Sequence, residues 1–247
     1  MDPARLTATL LGIVALCAVA AAVLGAARIP QWWTPTTAVI RAAVQLAVIS
    51  LILSGVITNA GWVALALLVM LGVAIATSSR RIGWSARHLA VVAVAIVSGA
   101  SATLLVVFLS GALAPTPRYL LAIGGIVIGN TMAITTLTAR RFLQAVDEQW
   151  DQVEGWLALG AGPVDATRDL ARSAVHSALV PSIDQTRTTG LVTLPGAFVG
   201  AVFGGLSPLE AGRFQVVVLA GILAAGALTA VLTVRLLGAV TQRPVSP

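Results

Sequence analysis

The acidic side chains of this chain are concentrated in one stretch, residues 144–206. Seven of the nine acidic residues lie there, namely Asp147, Glu148, Asp151, Glu154, Asp165, Asp169 and Asp184. The stretch begins polar and passes through residues 177–181 into an apolar run that contains Leu194, Pro195 and Gly196. A polar arm that leads directly into a membrane segment suits a transporter whose membrane part is moved by a soluble partner.

The residue types present exclude several catalytic motifs. A phosphate-binding P-loop needs a lysine, and all fifteen basic residues of this chain are arginine. The sequence has no His-Glu-x-x-His or Gly-x-Ser-x-Gly pattern, and its one cysteine, Cys17, lies in an apolar run. His88 and His176 fall at predicted membrane edges. We therefore expect a non-enzymatic chain that binds no cofactor, with MgATP held by a separate ATPase polypeptide.

Composition indicates a protein that lives in a lipid bilayer. Charged residues are 10% of the chain, hydrophobic residues are 58%, and the mean hydropathy is +0.97, whereas soluble domains carry about 25% charged residues. The net charge of +6 comes from arginines that stand singly or in pairs between apolar runs. This pattern is typical of membrane-flanking charge, so we expect no nucleic-acid partner.

Seven apolar runs are candidates for transmembrane helices, since about 20 apolar residues cross the hydrocarbon layer. They are residues 6–27, 36–57, 62–77, 89–113, 119–139, 188–206 and 214–240. The sequence predicts an all-α polytopic membrane protein with about seven spans, forming a single permease domain of residues 1–247. Between the fifth and sixth spans we expect an amphipathic cytoplasmic coupling arm at about residues 140–187.

The arginines predict the orientation in the membrane. Placing Arg80, Arg81 and Arg87 in the cytoplasm puts twelve of the fifteen arginines on or near that side, as the positive-inside rule requires. The N-terminus is then outside and the C-terminus is cytoplasmic. We expect a multi-pass membrane protein.

The first half of the arm has helical periodicity. Val146, Trp150, Val153 and Leu157 recur on one face of a helix, while the acidic residues stay on the other. Gly160 is placed to end this helix, and a second amphipathic helix is expected from about Asp165 to Pro181. The residues predicted to contact an ATPase are Trp150, Glu154, Leu159, Gly160 and Ala161. An amphipathic surface helix with no partner is the alternative.

Polar residues inside the apolar runs predict the transport path. Arg41 and Gln45 are four residues apart and share a helical face, although Arg41 lies near enough to the membrane edge to reach it. Asn130 sits among glycines at the centre of the fifth run, where an unpaired amide is costly. Met132 lies two residues later and is a soft side chain that could touch a cation.

The predicted path continues at the sixth run. Pro195 and Gly196 interrupt that run and free backbone carbonyls that could line a cavity or form a hinge. Asp184, just before the run, belongs to the same predicted gate. Metal ligands are not identifiable from the sequence, and no acidic residue lies at the centre of a predicted span.

Several of these stretches resemble the FetB-type permeases. The similar segments are residues 41–46, 128–132, 159–163, 177–196, 204–208 and 214–215. The resemblance implies the membrane subunit of an ABC transporter linked to iron export in bacteria, with plant relatives tied to aluminium tolerance and a FetA-like ATPase as partner. Members of this family often carry two methionines after the Leu-Pro-Gly motif, where this chain has Ala197 and Phe198.

The sequence thus favours a permease subunit that pairs with a second copy of itself and with two ATPase subunits, exporting a metal cation, iron above all. An ABC permease for a lipid, a sugar nucleotide or a peptide is the alternative. An ion-driven secondary transporter and a structural membrane scaffold are less favoured. A secondary transporter usually has an intramembrane carboxylate, and a scaffold would not need Arg41, Gln45 and Asn130 at membrane depth.

Overall fold

The computed structural model describes residues 3–56 and 59–243, with side chains described for residues 5–50 and 59–243. Within these ranges the secondary structure is α-helical and no β-strand is formed. Thr189 and Thr193 form an isolated β-bridge. The helices are α1 Pro3–Ala26, α2 Thr34–Val56, α3 Ala60–Ile82, α4 Ala86–Leu109, α5 Pro117–Glu148, α6 Trp150–Ala158, α7 Pro163–Ala166, α8 Arg168–Thr188, α9 Gly196–Phe203 and α10 Pro208–Leu237. The predicted all-α fold is confirmed.

Helices α1 and α2 form one compact unit, and α3 to α10 form the other. In the first unit the two helices contact each other and are joined by a turn in which Arg28 and Gln31 have positive φ. Trp32 and Trp33 meet edge to face in this turn, with ring centroids 5.9 Å apart. Both indoles are exposed, which suits anchors at the lipid headgroups.

The core of the second unit is built by α3, α4, α5 and α10. Helices α5 and α10 are its centre, since each contacts the other and also α4 and α8. One apolar cluster surrounds Phe142 and Ile96, and a second surrounds Ile123 and Val218. Because α5 and α10 contribute to both clusters, they form the scaffold on which the remaining helices lie.

Five helices of the described ranges are long and apolar enough to cross a membrane. They are Arg5–Ala26, Ala60–Ile82, Ala86–Leu109, Pro117–Glu148 and Pro208–Leu237. These helices match the first, third, fourth, fifth and seventh predicted spans. The second predicted span is α2, which has 23 residues. The side chains of its last turns lie outside the described residues, so its role as a span stays a prediction.

The sixth predicted span, residues 188–206, is not a single helix. The helix there, α9, has only eight residues, about 12 Å of rise. Before it, Gly190 adopts a φ of +85°, and the Thr188 carbonyl accepts from the N–H groups of Leu191, Val192 and Thr193. A left-handed turn followed by Pro195 breaks the helix, because neither conformation continues an α-helical ladder.

Helix α5 passes the end predicted for it at Ala139. It continues through Arg140 and Arg141 to Glu148, giving 32 residues, or about 48 Å. Phe142 and Val146, within this extension, are fully buried. Arg140 and Arg141 therefore mark the end of the apolar part of α5 but not the end of the helix. The buried packing of Phe142 and Val146 keeps the following residues helical.

The prediction that Pro181 ends the second arm helix is also wrong. Pro181 lies inside α8, which runs from Arg168 to Thr188. A proline in a helix interior removes one backbone hydrogen bond and clashes with the preceding turn. Ala178, one turn before the proline, and Ser182, directly after it, are buried against the bundle, and this packing holds the helix together across the proline.

Candidate functional site

Helix α8 does not stay outside the bundle but runs back along α10. At its start, the Thr167 hydroxyl donates to the carbonyl of Gly238, 3.4 Å away. Twelve residues later, Leu179 lies 3.3 Å from the position that a Cβ on Gly226 would occupy. Gly226 is likewise twelve residues before Gly238, so the two helices lie side by side and antiparallel.

The contact between Leu179 and Gly226 lies in the middle of the apolar layer. Gly226 is near the centre of the apolar part of α10, between Arg213 and Arg235. The Asn130 amide oxygen, from the centre of α5, lies 3.7 Å from the same Cβ position. Most of α8 therefore lies alongside the apolar part of α10, and about residues 149–167 of the predicted arm lie outside α5 and α8. The position of the arm, predicted at 140–187, relative to the membrane stays a prediction.

Helix α8 has a buried face and a polar exposed face. Ala174, Ala178 and Ser182 are buried against α5 and α10, whereas Ser173 and Ser177 are exposed. Side chains of this polarity are expensive in hydrocarbon. The exposed face of α8 must therefore meet water or another protein surface.

Asp184 lies on this polar face, alongside the apolar part of α10. It is five residues beyond Leu179, about 8 Å along the helix. Its carboxylate is 3.6 Å from the Arg187 guanidinium, and the Asp184 side chain is 59% exposed. The sequence analysis placed no acidic residue at the centre of a span. It did not identify Asp184 because α8 is polar and therefore was not predicted to pack along the apolar helices α5 and α10.

Asn130 and Met132 lie inside the second unit, as their positions predict. The Asn130 side chain is half-buried, and its oxygen is enclosed without a hydrogen-bond partner among the described residues. Met132 is half-buried between the two apolar clusters. The structure thus brings Asn130 to α8 and α10, while Met132 fills space in the core.

Pro195 and Gly196 mark the start of α9. Pro195 is the residue before the first turn, and Gly196 is its first residue. Ala197, directly after them, packs against the apolar cluster around Ile123, and α9 contacts α10. The predicted interruption of the helix at Pro195 is confirmed, and its role as a gate stays a prediction.

Arg41 and Gln45 belong to the first unit. Both side chains are exposed on α2, and their spacing of four residues places them on one face. Their part in a transport path stays a prediction.

A group of buried hydroxyls between α3 and α5 was missed from the sequence. The Ser78 and Thr136 hydroxyls are 2.9 Å apart, and Thr131, Thr135 and Thr138 are completely buried. Thr131, Thr135 and Thr138 recur at i, i+4 and i+7, the spacing of one helical face. That spacing could have predicted a buried polar stripe on α5 from the sequence. Buried oxygens without partners among the described residues belong to Ser79, Thr103, Asn130, Thr135, Thr138 and Gln215. Each can accept a hydrogen bond from water or from a rearranged neighbour.

The outer part of the arm is a short helix that ends in a defined turn. Gly160 has a φ of +88°. Its N–H donates to the Leu157 carbonyl at 3.0 Å, and the N–H of Ala161 donates to the Trp156 carbonyl at 3.0 Å. This pair of bonds is a Schellman motif, and the predicted ending at Gly160 is confirmed.

The predicted stripe of α6 faces the bundle. Val146 and Val153 are buried, and Trp150 packs against the cluster around Phe142. Glu154 is exposed on the opposite side. Trp150 is half-buried and anchors the arm to the bundle, and its predicted contact with an ATPase stays a prediction.

An apolar surface remains exposed around the turn. Leu159 is 82% exposed, and Trp156 and Val164 are about half exposed. Beside them, a groove of about 270 Å³ is lined in part by Trp156, Ala161 and Leu170. The predicted coupling residues Leu159, Gly160 and Ala161 lie together here. Trp156 and Val164 were missed, because they lie off the apolar stripe.

The arm meets the arginine-rich ends of the long helices. The Arg243 guanidinium donates to the Asp147 carboxylate at 2.6 Å, and this hydrogen bond raises the pKa of Arg243. Arg140 donates to the Arg81 carbonyl at 3.0 Å, and Arg87 donates to the Ala239 carbonyl at 3.3 Å. The ends of α3, α5 and α10 and the start of α4 therefore lie at one end of this unit, together with the arm.

No metal centre is formed within residues 3–56 and 59–243, since no three His, Cys, Asp or Glu side chains lie close enough to hold an ion. The oxygen atoms of Asp184 and Asn130 remain as separate candidate contacts for a passing cation.

The chain matches a family model over most of its length. The model is described as uncharacterised protein family UPF0014 and matches residues 7–240. No solved structure matches the chain.

Three relatives show what this chain is similar to. The rice UPF0014 membrane protein STAR2 is 37% identical over 79% of this chain and 70% of its own length. The Arabidopsis thaliana protein ALUMINUM SENSITIVE 3 is 38% identical over 72% of this chain and 66% of its own length. The probable iron export permease protein FetB of Escherichia coli is 34% identical over 56% of this chain and 54% of its own length.

Proposed function

The chain belongs to the UPF0014 family of membrane proteins, and from this premise we propose that it is the permease subunit of an ABC transporter. A separate ATP-binding subunit supplies the energy. The observation that carries the proposal is the exposed apolar surface around Gly160, on the arm that joins α5 to α8. Such a surface suits the docking of a soluble partner whose movement must reach the membrane.

The arm is mechanically linked to the bundle on both sides. Upstream, Trp150 and Val153 pack the arm against the end of α5. Downstream, Thr167 contacts Gly238, and α8 leads on to Leu179 and Asp184. A displacement of the Gly160 turn by an ATPase is therefore transmitted along α8 to the polar residues at membrane depth.

We assign the transport path to the exposed polar face of α8, with Asn130 on the buried side of the same helix, near Leu179. In a single chain, Ser173, Ser177 and Asp184 lie uncovered on this face. A second copy of the permease would cover this polar face and shield it from lipid, which is the physical reason for the proposed homodimer. Pro195 and Gly196 of the second unit stay proposed gate residues, and Arg41 and Gln45 stay proposed path residues of the first unit.

The proposed cargo is a metal cation, and the name of the Escherichia coli relative favours iron and the export direction. Carboxylate and amide oxygens, as in Asp184 and Asn130, are suitable transient contacts for a cation. The proposed setting is a bacterial inner membrane with the arm and C-terminus in the cytoplasm, because the arginine-rich ends of the long helices lie beside the arm.

An ion-driven secondary transporter is the second candidate, and Asp184, alongside the apolar part of α10, is the residue that supports it. A carboxylate at membrane depth is a feature that proton- or sodium-coupled transporters commonly use. The two candidates differ in their energy source. Transport in vesicles that depends on internal ATP supports the first, and transport driven by an ion gradient alone supports the second.

Co-purification with the candidate ATPase tests the proposal. We expect the wild-type chain to retain the ATPase and to stimulate hydrolysis of MgATP in lipid. Adding iron should increase the rate of hydrolysis further, whereas adding more magnesium should not. Leu159→Asp should lose the ATPase. Leu209→Asp is the matched control, because Leu209 is 85% exposed and lies in the first turn of α10, at the opposite end of that helix from Gly238. A wild-type chain that retains no ATPase, or two variants that behave alike, would overturn the proposal.

A further inference from the structure

A cleft of about 670 Å³ separates α8 from the last turns of α10. Three arginines line it, Arg168 and Arg172 from α8 and Arg235 from α10, with His176 beside them. None of the described residues that line the cleft is acidic. Its opening is therefore strongly basic, and it lies at the arginine-rich end of the bundle.

The interior of the same cleft is apolar. Val175 and Leu179 form one wall, and Val231 and Val234 form the other. The cleft extends from Gly238, in the turn after α10, to Leu179 at the level of Gly226. This path is about 18 Å long by helix rise, and it leads from the headgroup level towards the bilayer centre.

The arginines are available for an anionic ligand. Arg168 lies 4.0 Å from Asp165, and Arg172 lies 3.3 Å from Asp169. In both pairs the two side chains are well exposed, so the pairing is weak. Arg235 is exposed and has no ion pair among the described residues.

We propose that this cleft binds an anionic phospholipid of the surrounding leaflet. The phosphate meets Arg172 and Arg235, and an acyl chain follows the apolar walls towards Leu179. Basic pockets between transmembrane helices at the headgroup level suit such lipids. A free phosphate would leave the apolar walls unused, so the lipid is the better match to the whole cleft.

The proposed lipid would connect the two helices that enclose the cleft. Helix α8 carries the polar face of the proposed path, and its Arg168 and Arg172 line the cleft opposite Arg235 of α10. A bound lipid therefore stabilises α8 against α10. This inference needs only a membrane protein and does not depend on ATP as the energy source.

Lipid binding can be measured on the purified full chain in detergent. Native mass spectrometry and thermal unfolding are recorded with added phosphatidylglycerol, phosphatidylcholine or inorganic phosphate. We expect one retained phosphatidylglycerol per chain, a higher midpoint of unfolding with that lipid, and no comparable effect of the other two. Equal stabilisation by inorganic phosphate would assign the site to a free anion and overturn the proposal.

Two kinds of variant locate the site. Arg172→Gln and Arg235→Gln should each weaken phosphatidylglycerol binding about fivefold, while Arg213→Gln, in the second turn of α10 near the opposite end, should not. Val231→Trp fills the cleft without changing its charge and should also displace the lipid. Val216→Trp is its control, because Val216 is an exposed α10 residue outside the cleft. Undiminished binding in Arg172→Gln, Arg235→Gln and Val231→Trp would contradict this placement.

Discussion

Leu179 of α8 lies against Gly226 of α10, 3.3 Å from where a Cβ on that glycine would stand. The terminal methyl of Ile134 lies 2.5 Å from the same position. Gly226 therefore leaves room for two neighbouring helices at once, α5 and α8. This contact holds α8 alongside the apolar part of α10 and places Asp184 beside the middle of the bundle.

Gly226→Val should loosen the docking of α8. The added side chain collides with Ile134 and Leu179, and overpacking of this kind costs about 1–3 kcal/mol. Thermal unfolding in detergent measures the loss. Gly212→Val is the control, because a Cβ there meets nothing within 4 Å in the same helix. Equal destabilisation by the two variants would contradict the tight contact at Gly226.

A cysteine on the polar face of α8 should react with a membrane-impermeant, charged thiol reagent. The background is Cys17→Ser, since Cys17 is the one cysteine of the chain. Ser177→Cys should be labelled, because its thiol can ionise in a water-filled path. Leu228→Cys should resist, because Leu228 lies on α10 near the level of Gly226 and is expected to face lipid. Protection of Ser177→Cys would show that a dry protein surface covers this face.

Gly160→Ala should unfold the coupling turn without unfolding the bundle. A φ of +88° costs a residue with a Cβ about 1–2 kcal/mol. Hydrogen exchange should increase around residues 156–164, and ATPase retention should fall. Gly155→Ala is the control, because Gly155 lies within α6 and has open space around it. If Gly160→Ala binds the ATPase as the wild type does, the turn is not part of the coupling contact.

Thr135→Val should leave the stability of the protein unchanged or raise it. The Thr135 hydroxyl is buried without a partner among the described residues, and replacing such a group by an apolar one of similar shape removes its desolvation cost. Ser78→Ala, in contrast, breaks the hydrogen bond to Thr136 and should cost about 0.5–1.5 kcal/mol. Thermal unfolding of the two variants compares them. A large loss in Thr135→Val would mean that this hydroxyl has a structural partner, such as a buried water.

The sequence by itself determined the class of the protein and much of its local structure. Low charge, long apolar runs and arginine at their ends identify membrane helices, because each of these signals is carried by consecutive residues. The turn at Gly160 and the break at Pro195 were predictable for the same reason. The resemblance to FetB-type permeases, which rested on contiguous motifs, is confirmed by the family match and by the named relatives.

The tertiary structure alone decided where the polar segment lies. The polar sequence of α8 predicts a water-soluble arm. In the structure, however, Ala174, Ala178 and Ser182 are buried and α8 packs along α5 and α10. A narrow face of small residues decides that packing, and average polarity does not show it. The contact between Leu179 and Gly226 is between residues that are far apart in sequence. No local sequence pattern specifies which glycine a side chain of another helix packs against. The position of Asp184 alongside the apolar part of α10 follows from that long-range contact.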